Sequence, residues 1–234
     1  MTNGYGTRFA VVAALLCYTA SAAAEGYVAY EAGLRVGVGL PLGKESDAAG
    51  DLNDFVASQI PLQFEFGVRL FSNLFLGGYA QYAFGFVPYG AGNCDSTLFD
   101  LDCSTHGVRL GVEALYHFMP HRTLDPWAGL GFGYEWATAE AEGLRLIGAE
   151  AVKVSSTFSG FEFVSFQVGV DVALSDHMRL APYLSLSLAQ YDGSSTASCS
   201  RVSQCVVDGS VYHDIADKAL HEWFMLGMRI GFGT

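Results

Sequence analysis

The residues best placed to do chemistry are charged and fall on alternate positions of otherwise apolar segments. They are Glu31, Arg35, Glu65, Arg69, Arg109, Glu113, Glu135, Asp171, Arg179 and Arg229. Gln63, Gln81, His117 and Gln167 share their phase. Five carboxylates meet five guanidiniums, so the set sums to zero in a chain of formal charge −12. An isolated buried charge costs several kcal/mol, whereas a paired and hydrogen-bonded one is tolerable. That sign balance points to ion pairs in an enclosed space. A nucleophile and base need to lie within hydrogen-bond reach, and Ser104-Thr105-His106 is the local candidate. No recognisable third group orients that histidine, so no catalytic residue is assigned. Asp208, His213, Asp214, Asp217 and His221 bring carboxylates and imidazoles together, but their spacing matches no metal motif. They are expected in a solvated loop, and no metal or cofactor is expected.

The charged residues need an element that turns every second side chain the same way, which is a β-strand. In Ile60–Leu70, the residues Ile60, Leu62, Phe64, Phe66, Val68 and Leu70 share one face, while Gln63, Glu65 and Arg69 share the other. Seven further stretches read alike: about 27–40, 74–86, 106–118, 126–136, 161–174, 178–191 and 223–232. An even count of eight suits a single-chain bacterial barrel. Connections alternate in length: 71–73, 119–125 and 175–177 are short, whereas 42–59, 87–105, 137–160 and 192–222 are long. Short turns on one side and long loops on the other are the pattern of an outer-membrane barrel. The expected fold is therefore all-β: an eight-stranded antiparallel up-and-down transmembrane β-barrel with four long extracellular loops and short periplasmic turns.

Lipid outside and paired charge inside account for both faces at once. An eight-stranded interior is just wide enough for side chains to fill, so the charged set is expected to plug the lumen. Gly37, Gly39, Gly129, Gly131 and Gly133 fall on the same inward face and would make room for arginines and tyrosines opposite.

Residues 1–24 read as a signal peptide: Arg8 supplies the positive charge, Phe9–Tyr18 the apolar core and Ala22-Ala23-Ala24 the cleavage site. Residues 25–234 would form the barrel, exported to the bacterial outer membrane. Leu16 before Cys17 departs from a lipidation site. The other four cysteines fall into local pairs, Cys94 with Cys103 and Cys199 with Cys205. In an exported chain these are expected to be loop disulfides. The chain is 51% hydrophobic with 6 prolines, which excludes disorder. Its acidity and lack of any basic run exclude nucleic acid as a partner. Surplus acid lies in the long segments: Glu45, Asp47, Asp51 and Asp54 against Lys44, and Asp95, Asp100 and Asp102 without a cation. A solvated surface is the expected reading, with cation-bridged lipopolysaccharide contact as the sharper one.

The chain resembles the small outer-membrane β-barrel superfamily that includes the OmpA transmembrane domain, OmpX, OmpW and the opacity-type surface proteins. The resemblance spans the whole chain after residue 24. It rests on Gly67-Val68-Arg69-Leu70 before a tight turn, Phe75-Leu76-Gly77-Gly78-Tyr79 after it, and the final Gly227-Met228-Arg229-Ile230-Gly231-Phe232. It implies insertion by the outer-membrane assembly machinery, with Gly233-Thr234 placing the terminal aromatic slightly off pattern. The expected role is structural or surface-interacting, not enzymatic, with membrane lipids, lipopolysaccharide and an unknown surface ligand as partners. The alternative is a narrow OmpW-like channel for small or apolar solutes, and more remotely a lipid-modifying enzyme.

Overall fold

The computed structural model describes residues 28–44, 52, 56–87, 99–145, 150–199, 211–215 and 218–233. The proposed signal peptide lies outside them. Nine strands are present among these residues: β1 (Val28–Gly43), β2 (Ser58–Leu70), β3 (Leu74–Phe86), β4 (Phe99–His117), β5 (Leu124–Arg145), β6 (Glu150–Ser175), β7 (Met178–Cys199), β8 (Val211–Asp214) and β9 (Leu220–Gly233). Eight of them, β1 to β7 and β9, close a ring of antiparallel neighbours, with β1 joined to β9 and β9 to β7. The short β8 pairs only with the far end of β7.

Side-chain alternation decides which way the barrel faces. Phe66, Phe132 and Leu226 are 54%, 63% and 56% exposed, whereas Glu65, Asp171 and Arg229 are 0% exposed. A water-soluble barrel would reverse this order. An apolar outer band around a polar interior is what a bilayer requires, because closed strands leave no backbone group unpaired in lipid. Among the described residues no helix is long and apolar enough to cross a membrane; the strands do so.

Three short turns mark the end that the family pattern assigns to the periplasm. At 71–73 the chain reverses with Phe71 and Ser72 at positive φ, 52° and 64°. The Asn73 side-chain amide donates to the His117 carbonyl at 2.8 Å, tying this turn to the end of β4. The other turns fall at 118–123 and 176–177.

The opposite end differs from the expected four long loops. β5 and β6 stay paired from Glu135↔Gly160 out to Arg145↔Glu150. β4 starts at Phe99 and β7 runs on to Cys199. The segments 137–145 and 150–160 are therefore ladder where loop was expected. Period-2 hydrophobicity vanishes there because neither face meets lipid, so Ala, Ser, Thr and Glu serve on both sides.

β6 also changes phase. Its register to β5 and β7 slips by one residue around Glu162–Val164, a β-bulge. Phe161 and Phe163 are both exposed while Glu162 between them is buried at 2%. Strict alternation downward from Val164 would have turned Glu162 outward.

Candidate functional site

The described residues that could do chemistry converge in the lumen. Nearest the turns, the Arg69 Nε donates to Glu31 at 2.6 Å, and an Arg69 N–H meets His117 Nε2 at 3.1 Å. Guanidinium nitrogens only donate, so Nε2 accepts and the imidazole proton sits on Nδ1, 2.8 Å from Asp125. Arg179, half-buried, meets the same Asp125 oxygen at 3.1 Å and donates to the Pro120 carbonyl at 2.7 Å. Arg229 occupies the middle. It reaches Glu65 at 2.5 Å, Glu31 at 2.7 Å and Asp171 at 3.4 Å. Arg35 follows, with Glu65 at 2.5 Å, Glu113 at 3.2 Å and the Gln167 side chain as partners.

Aromatic rings line these guanidiniums. Arg35 lies 5.6 Å from the Trp127 ring and 5.4 Å from Tyr183, and Arg229 lies 5.9 Å from Trp127. Trp127 also donates its indole N–H to Asp171 at 3.0 Å. Such contacts let a desolvated cation replace lost hydration with ring quadrupoles. Glycine provides the space: a methyl group at Gly33 would run into the Glu65 carboxylate, and one at Gly133 would stand 2.7 Å from the Tyr79 hydroxyl.

Farther from the turns, Arg109 pairs with Glu135 at 2.9 Å and Glu162 at 3.4 Å, beside the Trp223 ring at 5.8 Å. Tyr79 donates to Glu162, and His221 binds Glu135 while stacking on Tyr191. Above them an apolar stopper closes the mouth. Leu52 and Val56, from the β1–β2 connection, pack on Tyr191, Trp223 and Met225. Val56 N–H donates to the Leu52 carbonyl at 2.9 Å, which ties the pair together.

All ten charged residues expected in the lumen are in this network, Arg179 at its wetter rim. Three titratable residues join them from outside that expectation. Asp125 lies in β5 just ahead of the stretch expected as strand, Glu162 is turned inward by the bulge, and His221 belongs to the stretch expected as a solvated loop. His221 is 0% exposed because β9 starts at Leu220, three residues before its first clear alternation. With Asp125 and Glu162 the lumen holds, among the described residues, seven carboxylates against five guanidiniums, so the zero balance read from the sequence gives way to an excess of two acids, with two histidines beside them.

His117, Asp125 and Asp171 place one ligand atom each within 4.8 Å of one another, a donor set suited to a metal ion. Arg69, Arg179 and Arg229 contact those same three side chains, and a cation there would face three guanidiniums. The cluster is thus an ion-pair node. Of the fourth-loop group, Asp208 and Asp217 lie outside the described residues and Asp214 is exposed on β8. The trio at 104–106 is split by the strand: Thr105 is buried inward, while His106 faces out and stacks on Tyr82 at 6.0 Å. Glu45, Asp47, Asp51, Asp54 and Asp95 fall outside the described residues, as do Cys94, Cys205 and the side chain of Cys199; Cys103 sits half-buried on β4.

Free space is uneven. Between the turns lies an open vestibule of about 520 Å³ bordered by Glu31, Arg69 and Arg179. Past it, the lumen retains cavities of about 10 Å³ between Arg35 and Arg109 and about 20 Å³ between Arg109 and Val56.

A closed eight-strand ring with an apolar band and a charged core is a transmembrane β-barrel of the bacterial outer membrane. Residues 10–212 match the model of the outer membrane protein beta-barrel domain, and the chain belongs to that family. Comparison with curated sequences gives no match. Among solved structures, the chain is similar to a major outer membrane protein from Thermus thermophilus (12% identity, 89% of this chain and 100% of that one, TM-score 0.51). It is also similar to Neisserial surface protein A (10%, 88% and 97%, 0.46). A third is Ail, the attachment invasion locus protein of Yersinia pestis (12%, 86% and 98%, 0.38).

Proposed function

We propose that this barrel is a sealed membrane anchor with a structural or surface-interaction role. The observation that carries the reading is the ladder of Arg229, Arg35 and Arg109 across the lumen, each bound to at least two carboxylates. The cavities between Arg35 and Arg109 and beyond Arg109, about 10 and 20 Å³, are of the size of single water molecules. A solute path would require these pairs to part, leaving buried charges uncompensated. The reading includes no catalytic role.

Function then belongs to what the anchor holds up. The paired extensions of β4 to β7, with β8 at their side, form a rigid platform on the side away from the turns. Rigid scaffolds commonly present recognition segments in this way. The two cysteine pairs, Cys94 with Cys103 and Cys199 with Cys205, would pin the segments beside it. Lipids and lipopolysaccharide surround the apolar band, and the assembly machinery engages β9 during insertion. The surface ligand is unidentified. Cells carrying a barrel trimmed of residues 139–156 test the reading: binding to host or neighbouring-cell surfaces should fall while the barrel still inserts. Unchanged adhesion and surface behaviour would overturn it.

A further inference from the structure

We infer that the extracellular half of the lumen contains a built binding site for one water molecule, in the cavity of about 20 Å³ beneath the Leu52–Val56 stopper. Three side chains that line this cavity end in polar atoms with no hydrogen-bond partner among the described residues: Gln59 Nε2, Thr105 Oγ1 and Trp223 Nε1. All three residues are buried, at 5%, 6% and 3% exposure. Two more such atoms sit close by, Ser187 Oγ opposite Trp223 in the β7–β9 register and His221 Nδ1 two residues before Trp223.

Each unpaired buried donor or acceptor costs about 1–3 kcal/mol, and native interiors leave few of them. Several at one level call for a shared partner. Size and chemistry select it. A cavity of roughly 10–15 Å³ or more admits one water, which wants two to four polar partners, and anything larger is excluded. Gln59 and Trp223 each offer an N–H, which fills the two lone pairs of a water molecule. The Thr105 hydroxyl oxygen takes one water hydrogen in return. An anion would also accept from the two N–H groups. However, the guanidinium beside the cavity, Arg109, is already shared between Glu135 and Glu162, and two carboxylates against one cation repel a negative guest. Val56 lines the cavity, and Leu52 packs with it and with Tyr191 and Trp223 of the same wall. The water is therefore structural: it completes the polar layer under an apolar lid and exchanges slowly.

The two buried tryptophans provide an internal control. Trp127 Nε1 donates to Asp171, whereas Trp223 Nε1 has no hydrogen-bond partner among the described residues. In the full chain, 15N-labelled and refolded in micelles, the Trp223 indole proton should show a cross-peak to long-lived water, and the Trp127 indole proton should show none. Trp223→Phe assigns the signal. Thr105→Val should weaken the water cross-peak, with Thr105→Ser retaining it. Absence of any water contact at Trp223 would overturn the inference. So would a bromide titration that shifts the Trp223 indole resonance, since that identifies a halide as the guest. If the valine variant does not fold, a crystal structure of the unaltered protein decides. Density at roughly 2.7–3.2 Å from Gln59 Nε2, Thr105 Oγ1 and Trp223 Nε1 supports the site, and an empty cavity refutes it.

Discussion

The two halves of the lumen are closed in different ways. On the turn side of Arg35, past the vestibule, the closure is ionic: Arg229 alone touches three carboxylates, and Glu31 and Glu65 each bridge two arginines. On the far side of Arg109 the seal is mostly apolar, with Leu52, Val56, Trp223 and Met225 over a single guanidinium. A cross-linked charge network is strong but intolerant, because removing one member strands the others. An apolar stopper on a connecting segment is softer: losing part of it costs burial without exposing a bare charge.

Substitutions tell the two kinds of seal apart. The largest effect is expected from Arg229→Ala, which takes one of two arginine partners from Glu31 and from Glu65 and the guanidinium from Asp171, all at 0–5% exposure, and should destabilise the barrel by about 3–5 kcal/mol. Urea unfolding in micelles, followed by heat-modifiable gel mobility, measures it; a loss below about 1 kcal/mol would mean the lower lumen is wetter than drawn. Leu52→Ala comes next, at about 2 kcal/mol, the low end for a buried leucine because the open mouth can relax around the gap. Combined with Arg229→Ala it should add within about 0.5 kcal/mol, as independent sites do; strong coupling would erase the distinction between halves. Glu135→Gln should cost about 1–3 kcal/mol, since Arg109 keeps Glu162 and His221 keeps a neutral acceptor. Lys153→Ala, which removes exposed pairs with Glu140 and Glu142, should leave the midpoint unchanged.

Much of the lower half was legible in the sequence. Lipid on one face and ion pairs on the other impose a strict two-residue period, and Glu31, Arg35, Glu65, Arg69 and Arg229 fall in phase with it. Legibility failed wherever that period did. Glu162 hides behind a bulge whose trace in the sequence is a carboxylate between Phe161 and Phe163. His221 and Asp125 lie just before the first clear apolar alternation of their strands. The extensions of β5 and β6 rise past the apolar band, so neither face has to be apolar throughout and no period shows. Leu52 could not be placed, because nothing local says that a connection turns back into the barrel mouth.

A lumen sealed by paired charge passes no ions, which conductance measures. Purified barrel reconstituted in planar bilayers should give no steady single-channel steps at any moderate voltage. Reproducible ohmic steps from the unaltered protein would contradict the sealed reading and favour the narrow channel.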